Sequence, residues 1–483
     1  MLISFFTSRE VLRVLGVTDF GIYNLVGGLT TMFGFLNGSL SDATQRYITV
    51  EIGKKEQGNP NKIFSICLMG HFLLGLLIFL FAEPIGLWFI HHKLVIPVDR
   101  IGAATWVFQL SLVSMFVLII SVPYNALIIA HERMKTFAMI SIVDAVGKLV
   151  IVYFLVFANI DRLILYGALI LLLQMAIRYL YTHYCIRNFK ESKLHFYWDW
   201  PLFKEMSGFA SWAIIGNLSY LCVTQGINII LGMFFMPAIN AARGIAVQVQ
   251  NAVTTFVRNF QTAINPQITK TYAANELSNM HSLIFRSSRF SFYLVMILLL
   301  PIILEIDTML RIWLTEVPEY TSTFARLLLL VSLVNCVGNP LSIAVKATGR
   351  IKEFELYAAT LKLLVIPFAY YLLNTGCPPV VVFVLYLVFE TAAFISNLLI
   401  TRHYVCFDLS TYCRQVLKKL IIVSLTSACV PLLLFLNMPS TPIRFILVII
   451  TSFICSFAAI YFLGLTSRER FFIKNKIHSI LNK

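Results

Sequence analysis

The chain has 483 residues, of which 59% are hydrophobic, 14% aromatic and only 13% charged, with a mean hydropathy of +0.82. A globular domain carries about 25% charged residues, so an ordinary soluble protein is excluded. The formal charge of +15, from 38 Lys and Arg against 23 Asp and Glu, would suggest nucleic acid in a soluble protein, and its placement along the chain decides against that below.

The first seven residues are apolar but too short to span, and they run into Ser8, Arg9 and Glu10 without the basic segment, apolar core and cleavage site of a signal peptide. Residues 20–41, 63–82, 101–130, 206–242, 363–389 and 445–465 then contain no Asp, Glu, Lys or Arg. Roughly 20 apolar residues cross a bilayer as a helix, so the longest runs must be divided. One breaks at Met236 and Pro237, and another at Asn374 to Pro379. With short loops throughout, the pattern predicts about thirteen full spans, beginning near residues 21, 63, 104, 137, 163, 206, 239, 286, 321, 354, 379, 415 and 444. The fold class is all-α and polytopic, and no connection is long enough to form a domain outside the membrane.

Loop charge sets the orientation. Taking the loops after alternate spans, one side carries 25 Lys and Arg and the other 7. Basic residues stay on the cytoplasmic side, which puts the loop beginning at Arg46 and the C-terminal tail in the cytoplasm. The positive charge therefore reports topology, and no nucleic-acid partner is expected. Six basic residues remain within spans: Lys148, Arg178, Arg243, Arg258, Arg326 and Lys362. The nine cysteines form no CxxC pattern and indicate neither a disulfide framework nor a zinc site.

Self-comparison reveals an internal repeat. At an offset of 216, Gly16 meets Gly232, Asn24 meets Asn240, Gln45 meets Gln261 and Lys54 meets Lys270; at 217, Pro123 meets Pro340, Ala130 meets Ala347, Arg133 meets Arg350 and Lys135 meets Lys352. A nearly constant offset over polar and Pro positions favours duplication over coincidence. An offset spanning an even number of helices gives two halves of like orientation. The expected organisation is an N-terminal lobe over 1–204, a C-terminal lobe over 205–404, and two extra helices with a basic tail over 405–483. On this register the first helix is truncated, or the true start lies upstream.

Two spans are amphipathic. Advancing 100° per residue from Asn240, residues Arg243, Asn251, Thr254, Arg258, Thr262 and Asn265 fall within about 60° of one line, with Ala246, Val249, Val253 and Phe256 opposite. From Asn24, residues Thr31, Asp42, Gln45, Arg46 and Thr49 do the same. A charge at mid-bilayer costs at least about 2.5 kcal/mol against lipid, so these stripes face protein or water. For the neutral members, interhelical hydrogen bonding between packed helices is one reading and a place in a binding cavity the other. For the arginines a hydrated central cavity lined by both halves is the sharper expectation, as alternating access requires. Among the other buried charges, Asp144 and Lys148 form an i,i+4 pair, either neutralising one another or coupling transport to an ion. Glu390 has no local partner; Lys362 or Arg326 would neutralise it from another helix, or it would serve as a coupling carboxylate. Arg178 would snorkel to a helix end, and Glu83 and Glu305 would sit at the outer interface.

The segments 15–29 (LGVTDFGIYNLVGGL), 36–54 (LNGSLSDATQRYITVEIGK) and 239–270 (INAARGIAVQVQNAVTTFVRNFQTAINPQITK) resemble bacterial polysaccharide flippases of the O-antigen and capsule type, within the multidrug, oligosaccharidyl-lipid and polysaccharide exporter superfamily. The resemblance implies two pseudo-symmetric bundles, usually of fourteen helices, in the bacterial cytoplasmic membrane. Its substrate would be an undecaprenyl-diphosphate-linked oligosaccharide, with glycan polymerase and glycosyltransferases of the same pathway as neighbours and membrane lipids around it. On the stripe argument the substrate-binding candidates are Arg46, Arg243, Arg258, Asn24, Asn240 and Asn251, and the gate or coupling candidates are Asp42, Asp144, Lys148, Glu390 and Lys362. Asp42 and Arg258, equivalent in the repeat, would pair to close the inner gate. No cofactor, metal site or catalytic residue is expected; a coupling H+ or Na+ is left open. A cation-coupled drug exporter of the same superfamily is the main alternative, and a membrane-embedded glycan polymerase or glycosyltransferase a weaker one, since neither long outer loops nor a catalytic cluster appears.

Overall fold

The computed structural model describes residues 10–11, 13–16, 19–20, 22–23, 26, 34–54, 58–92, 96–157, 160–193, 195, 199–235, 237–314, 317–467, 469–471 and 474–475. Among these, the regular structure is helical throughout and no strand occurs. In a bilayer interior a backbone can satisfy its own N–H and C=O groups only within helices or closed barrels, and runs this apolar without period-two alternation take the helical solution. Eleven described helices are long and apolar enough to cross a membrane. The two further spans expected from the sequence correspond to α1 (Gly34–Gly53), of whose upstream part only residues 22–23 and 26 are described, and α7 (Pro237–Ala273), long enough but made polar by its stripe.

The chain divides into two compact units, Met1–Asn217 and Leu218–Lys483. In the first, α2 (Pro60–His92), α3 (Ile101–Ala130), α4 (Met134–Val156), α5 (Arg162–Asn188) and the start of α6 (Trp200–Phe234) follow α1. The most buried of these is α3, with α1, α2 and α5 packed around it. Its Val107, Phe108 and Leu112 meet Ile78 and Ala82 of α2. Close approach there depends on Gly86, where a Cβ would stand 1.9 Å from the Phe108 ring. The loops are tied by polar contacts: Lys62 Nζ donates to Asp199 Oδ2 at 2.7 Å, and Asn61 Nδ2 donates to the Glu191 and Lys193 carbonyls. His131 pairs with Glu191 at 2.5 Å while its ring stacks on Phe189. That contact holds the Glu191 carboxyl below its usual range, against the opposing effect of burial.

The second unit contains the end of α6, then α7, α8 (Leu277–Trp313), α9 (Thr321–Thr348), α10 (Lys352–Leu363), α11 (Val365–Asn374), α12 (Val380–Val405), the short α13 (Leu409–Tyr412), α14 (Lys418–Asn437) and α15 (Pro442–Ala459). Here α9 is central and packs on α7, α8 and α12. The terminal pair α14 and α15 pack on each other and on α8. Arg444 fixes that contact with two hydrogen bonds to Glu305, from Nε at 2.9 Å and Nη2 at 3.1 Å. Glu305 is 1% exposed, so this carboxylate, expected at the outer interface, is buried with its base. It also marks a kink in α8, four residues after Pro301, where a turn loses one N–H donor.

Both units repeat one local device. Pro123 and Pro340 lie inside α3 and α9, and each helix ends at a residue with left-handed backbone, Glu132 (φ 58°) and Gly349 (φ 82°). These positions are 217 apart, the offset read from the sequence. Outward faces are apolar: Phe81, Phe154 and Leu425 are exposed, with Trp88, Trp106, Trp200 and Trp313 toward helix ends, as in a protein whose surroundings are lipid flanked by interfaces.

Candidate functional site

The polar stripe of α7 has two fates within its unit. One flank is packed. Gln250 Nε2 donates to the Leu328 carbonyl and Ser332 Oγ, both at 3.0 Å, and buried Gln261 Nε2 donates to Ser291 Oγ at 3.0 Å and the Cys336 carbonyl at 2.9 Å. These are the interhelical bonds that neutral polar residues form between membrane helices. The other flank is open. Asn251 and Arg258 are exposed, and among the described residues the Arg258 guanidinium makes no hydrogen bond or ion pair; only its carbonyl is engaged, accepting from Thr262 Oγ1 at 2.8 Å.

Toward the start of α7 the stripe meets α6. Arg243 donates from Nη2 to the Thr224 carbonyl at 2.5 Å and from Nη1 to Asn228 Oδ1 at 3.3 Å. Asn240 fits there because position 232 is Gly: a Cβ at Gly232 would stand 3.0 Å from Asn240 Nδ2. Asn240 Oδ1 is buried without a partner among the described residues, an arrangement that costs about 1–3 kcal/mol.

Beside Arg243 lies a buried charge network. Glu390 of α12, 2% exposed, has Lys362 Nζ of α10 at 3.2 Å. Tyr386, one turn earlier and 5% exposed, shares a side-chain hydrogen bond with Glu390 and lies within electrostatic range of Arg243 and Tyr220. Lys362 is followed directly by a break at Leu364 between α10 and α11. Pro367 explains it, because it cannot donate to the Leu363 carbonyl. Lys362 is thus the partner of Glu390. Arg326 is otherwise engaged, donating from Nη2 to Asp307 at 2.6 Å and from Nε to the Ile303 carbonyl at 3.1 Å.

In the first unit, Arg46 stacks its guanidinium over two rings, 4.5 Å from the Tyr47 centroid and 4.9 Å from that of Phe209. Tyr47 donates to Glu205 at 3.1 Å and Asn217 Nδ2 donates to Ser39 Oγ at 2.7 Å, so α1 is joined to α6 through polar contacts. Asp42 is half-buried on α1. Asp144 and Lys148 form their ion pair at 2.7 Å. Arg178 lies with its guanidinium 5.9 Å from the Tyr124 ring. Asn24 lies outside the described residues.

The structure therefore brings Arg243, Glu390 and Lys362 into one neighbourhood of the second unit, leaves Arg258 and Asn251 on an open face, and holds Arg46 on aromatic rings in the first unit. Tyr220, Thr224, Asn228 and Tyr386 were not singled out in the sequence. Tyr386 was accessible there as the residue one helical turn before an unpartnered buried Glu; the others required knowledge of which face of α6 meets α7.

No known family profile and no curated protein sequence matches the chain. Solved structures do. A multidrug resistance MATE family transporter of the MOP superfamily in its outward-facing conformation is 14% identical, with a TM-score of 0.72 over 84% of this chain and 92% of that one. A MATE transporter in the straight conformation is 13% identical, with a TM-score of 0.72 over the same shares. A MOP superfamily transporter from Pyrococcus furiosus, described as having a binding pocket of reverse polarity that suggests a different function, is 13% identical, with a TM-score of 0.66 over 83% of this chain and 95% of that one. At these identities the likeness is one of fold, and the chain is a multi-pass, all-helical membrane protein with the fold shared by MATE transporters of the MOP superfamily.

Proposed function

We propose that this protein is a transporter that carries an undecaprenyl-diphosphate-linked oligosaccharide from the inner to the outer leaflet of a bacterial cytoplasmic membrane by alternating access, with its C-terminus in the cytoplasm. The observation that carries this reading is the sign of the uncompensated charge. Asp144, Glu305, Asp307 and Glu390 each stand against a base, whereas among the described residues the Arg258 guanidinium has no partner and lies on an exposed helix face. A positive face within the membrane suits a diphosphate, which Arg binds through forked hydrogen bonds; it repels an organic cation. The resemblance of segments 15–29, 36–54 and 239–270 to polysaccharide flippases points the same way.

In this reading Arg258, Asn251 and Asn240 of α7 receive the headgroup and its first sugars, with Arg243 behind them; Arg46 and Asn24 are the candidates of the first unit. Asp144 with Lys148 and Glu390 with Lys362 are the pairs through which H+ or Na+ would be coupled, and Asp42 belongs to the gate. The full chain in proteoliposomes should change the sidedness of the lipid-linked oligosaccharide without altering it chemically. Arg258→Gln should slow that exchange about tenfold or more, the loss of one charge-assisted contact. Cation-coupled drug export is the second reading, supported by the likeness to multidrug transporters. Gradient-driven uptake of an organic cation dye, with the glycolipid left unmoved, would replace the first reading by the second.

A further inference from the structure

A second cluster lies in the C-terminal unit, on residues that follow α7 and on the segments beside α13 and after α15. The start of α8, the α13 segment and the residues following α15 enclose a cavity of about 900 Å³. Its walls include Arg286 and Arg289, the hydroxyls Ser282 and Thr411, and His281. Of the two carboxylates in the walls, Glu469 stands among these arginines. Its Oε1 accepts from Arg289 Nη2 at 2.8 Å and lies 3.4 Å from Arg286 Nε, while Oε2 accepts from the Thr466 N–H at 2.8 Å.

The Thr466 contact has a local explanation. Thr466 and Glu469 stand in the order of a capping box, in which a Glu three residues on reaches back to the cap N–H. A capping box needs no arginine, and two are present. Lys419 adds a third positive charge, donating from Nζ to the Gly464 carbonyl at 3.2 Å within electrostatic range of both Arg289 and Glu469. Asp408, on another wall, is spent on the N–H groups of Ser410 and Thr411 and on the Thr411 hydroxyl.

Arg289 supplies the independent observation. It is 5% exposed and lines the cavity; Nη1 donates to the Gly464 carbonyl at 3.3 Å and Nη2 to Glu469, yet its Nε–H is buried without a partner among the described residues. A buried guanidinium with a donor to spare is under-served by one carboxylate. Burial alone would raise the Glu469 carboxyl, but the Thr466 N–H and the neighbouring guanidinium groups hold it below its usual range. It therefore stays charged.

We propose that this cavity is a binding site for a phosphate-bearing anion, with Arg286 and Arg289 as its seat and Glu469 as a resident carboxylate that the ligand displaces. A phosphate group offers more acceptor oxygens than a carboxylate and so can take the Nε–H that Glu469 leaves unsatisfied, together with the wall hydroxyls. The same chemistry belongs to a free phosphorylated solute and to an anionic lipid headgroup.

The full chain in nanodiscs of phosphatidylcholine tests the first source, by titration with inorganic pyrophosphate; nanodiscs containing phosphatidic acid test the second, by native mass spectrometry of retained lipid. Glu469→Gln should tighten binding of one of these probes about tenfold, the worth of one displaced charge-assisted contact. Adding the half-exposed Arg286→Gln change to Glu469→Gln should abolish the gain; this avoids reliance on Arg289→Gln, whose burial endangers folding. A gain with pyrophosphate assigns a soluble ligand, and a gain with phosphatidic acid alone assigns a lipid. If Glu469→Gln binds neither probe more tightly than the unaltered chain, or keeps its gain when Arg286 is lost, the proposal is overturned. Neither readout involves transport, so the result stands apart from the fate of the flipping proposal.

Discussion

Glu305 and Glu390 show what a buried carboxylate requires in this protein. Each is almost wholly enclosed, and each has a base from another helix: Arg444 in a two-pronged contact and Lys362 at 3.2 Å. Removing one member of such a pair leaves the other uncompensated, at a cost of about 3–5 kcal/mol. Arg444→Met should destabilise the detergent-solubilised protein by that order, read as a lower thermal midpoint, and the double change Arg444→Met with Glu305→Leu should recover most of the loss. If the double variant melts no higher than the single one, the pair is not what joins α15 to α8. Asp161 is the comparison at a helix end. It caps α5 by accepting from the Leu163 and Ile164 N–H groups and pairs with Arg100 at 2.7 Å. Burial opposes its ionisation, but Arg100 and the two N–H groups hold its carboxyl below the usual range. A depressed carboxyl stabilises above its ordinary value and loses that contribution as pH falls through the lowered one. The melting difference between the unaltered chain and Asp161→Ala should therefore be full at pH 6, about 0.5–2 kcal/mol for the cap, and should close toward pH 3. The sequence exposed Glu390 as lacking a local partner but could not choose between Lys362 and Arg326, because that choice depends on which helices touch.

At the scale of elements, the apolar runs named most helices, since a charge-free run of bilayer length has few alternatives. Three features escaped them. The break at Leu364 turns on Pro367 within an otherwise unremarkable span. The two roles of the α7 stripe, packed at Gln250 and Gln261 and open at Arg258, need the neighbouring helices to be known. The kink at Glu305, four residues after Pro301, is a backbone feature that an apolar run does not mark. Two predictions belong here. Gly86→Leu would force a side chain into the space of the Phe108 ring, and overpacking of this kind costs about 1–3 kcal/mol; a fall in thermal midpoint is expected, with partial rescue by Phe108→Ala. Gly349→Ala places a Cβ on left-handed backbone at the end of α9 and should destabilise by about 1–2 kcal/mol. An unchanged melt for Gly349→Ala would show that this helix end does not hold its backbone in the left-handed region.

For the molecule as a whole, the repeat and the loop charges were both legible in the sequence, one from matched polar and Pro positions and the other from counting alone. The left-handed residues at 132 and 349 give the repeat a backbone signature that letters could not reveal, since one copy uses Glu and the other Gly. Orientation can be checked with native thiols. Cys406 and Cys413 are exposed in the basic region before α14, and Cys377 is partly exposed between α11 and α12. With a membrane-impermeant maleimide on intact cells, Cys377 should be labelled while Cys406 and Cys413 require permeabilised cells. The reverse pattern would invert the assigned topology. Arg258 has one more consequence, for electrical insulation. Among the described residues no group neutralises this exposed guanidinium, and a charge that faced hydrocarbon would be costly, so it needs water about it. If α7 lies in the membrane as proposed, side chains rather than lipid would have to exclude ions beside Arg258, and a variant that loosens them is expected to leak protons in a liposome flux assay.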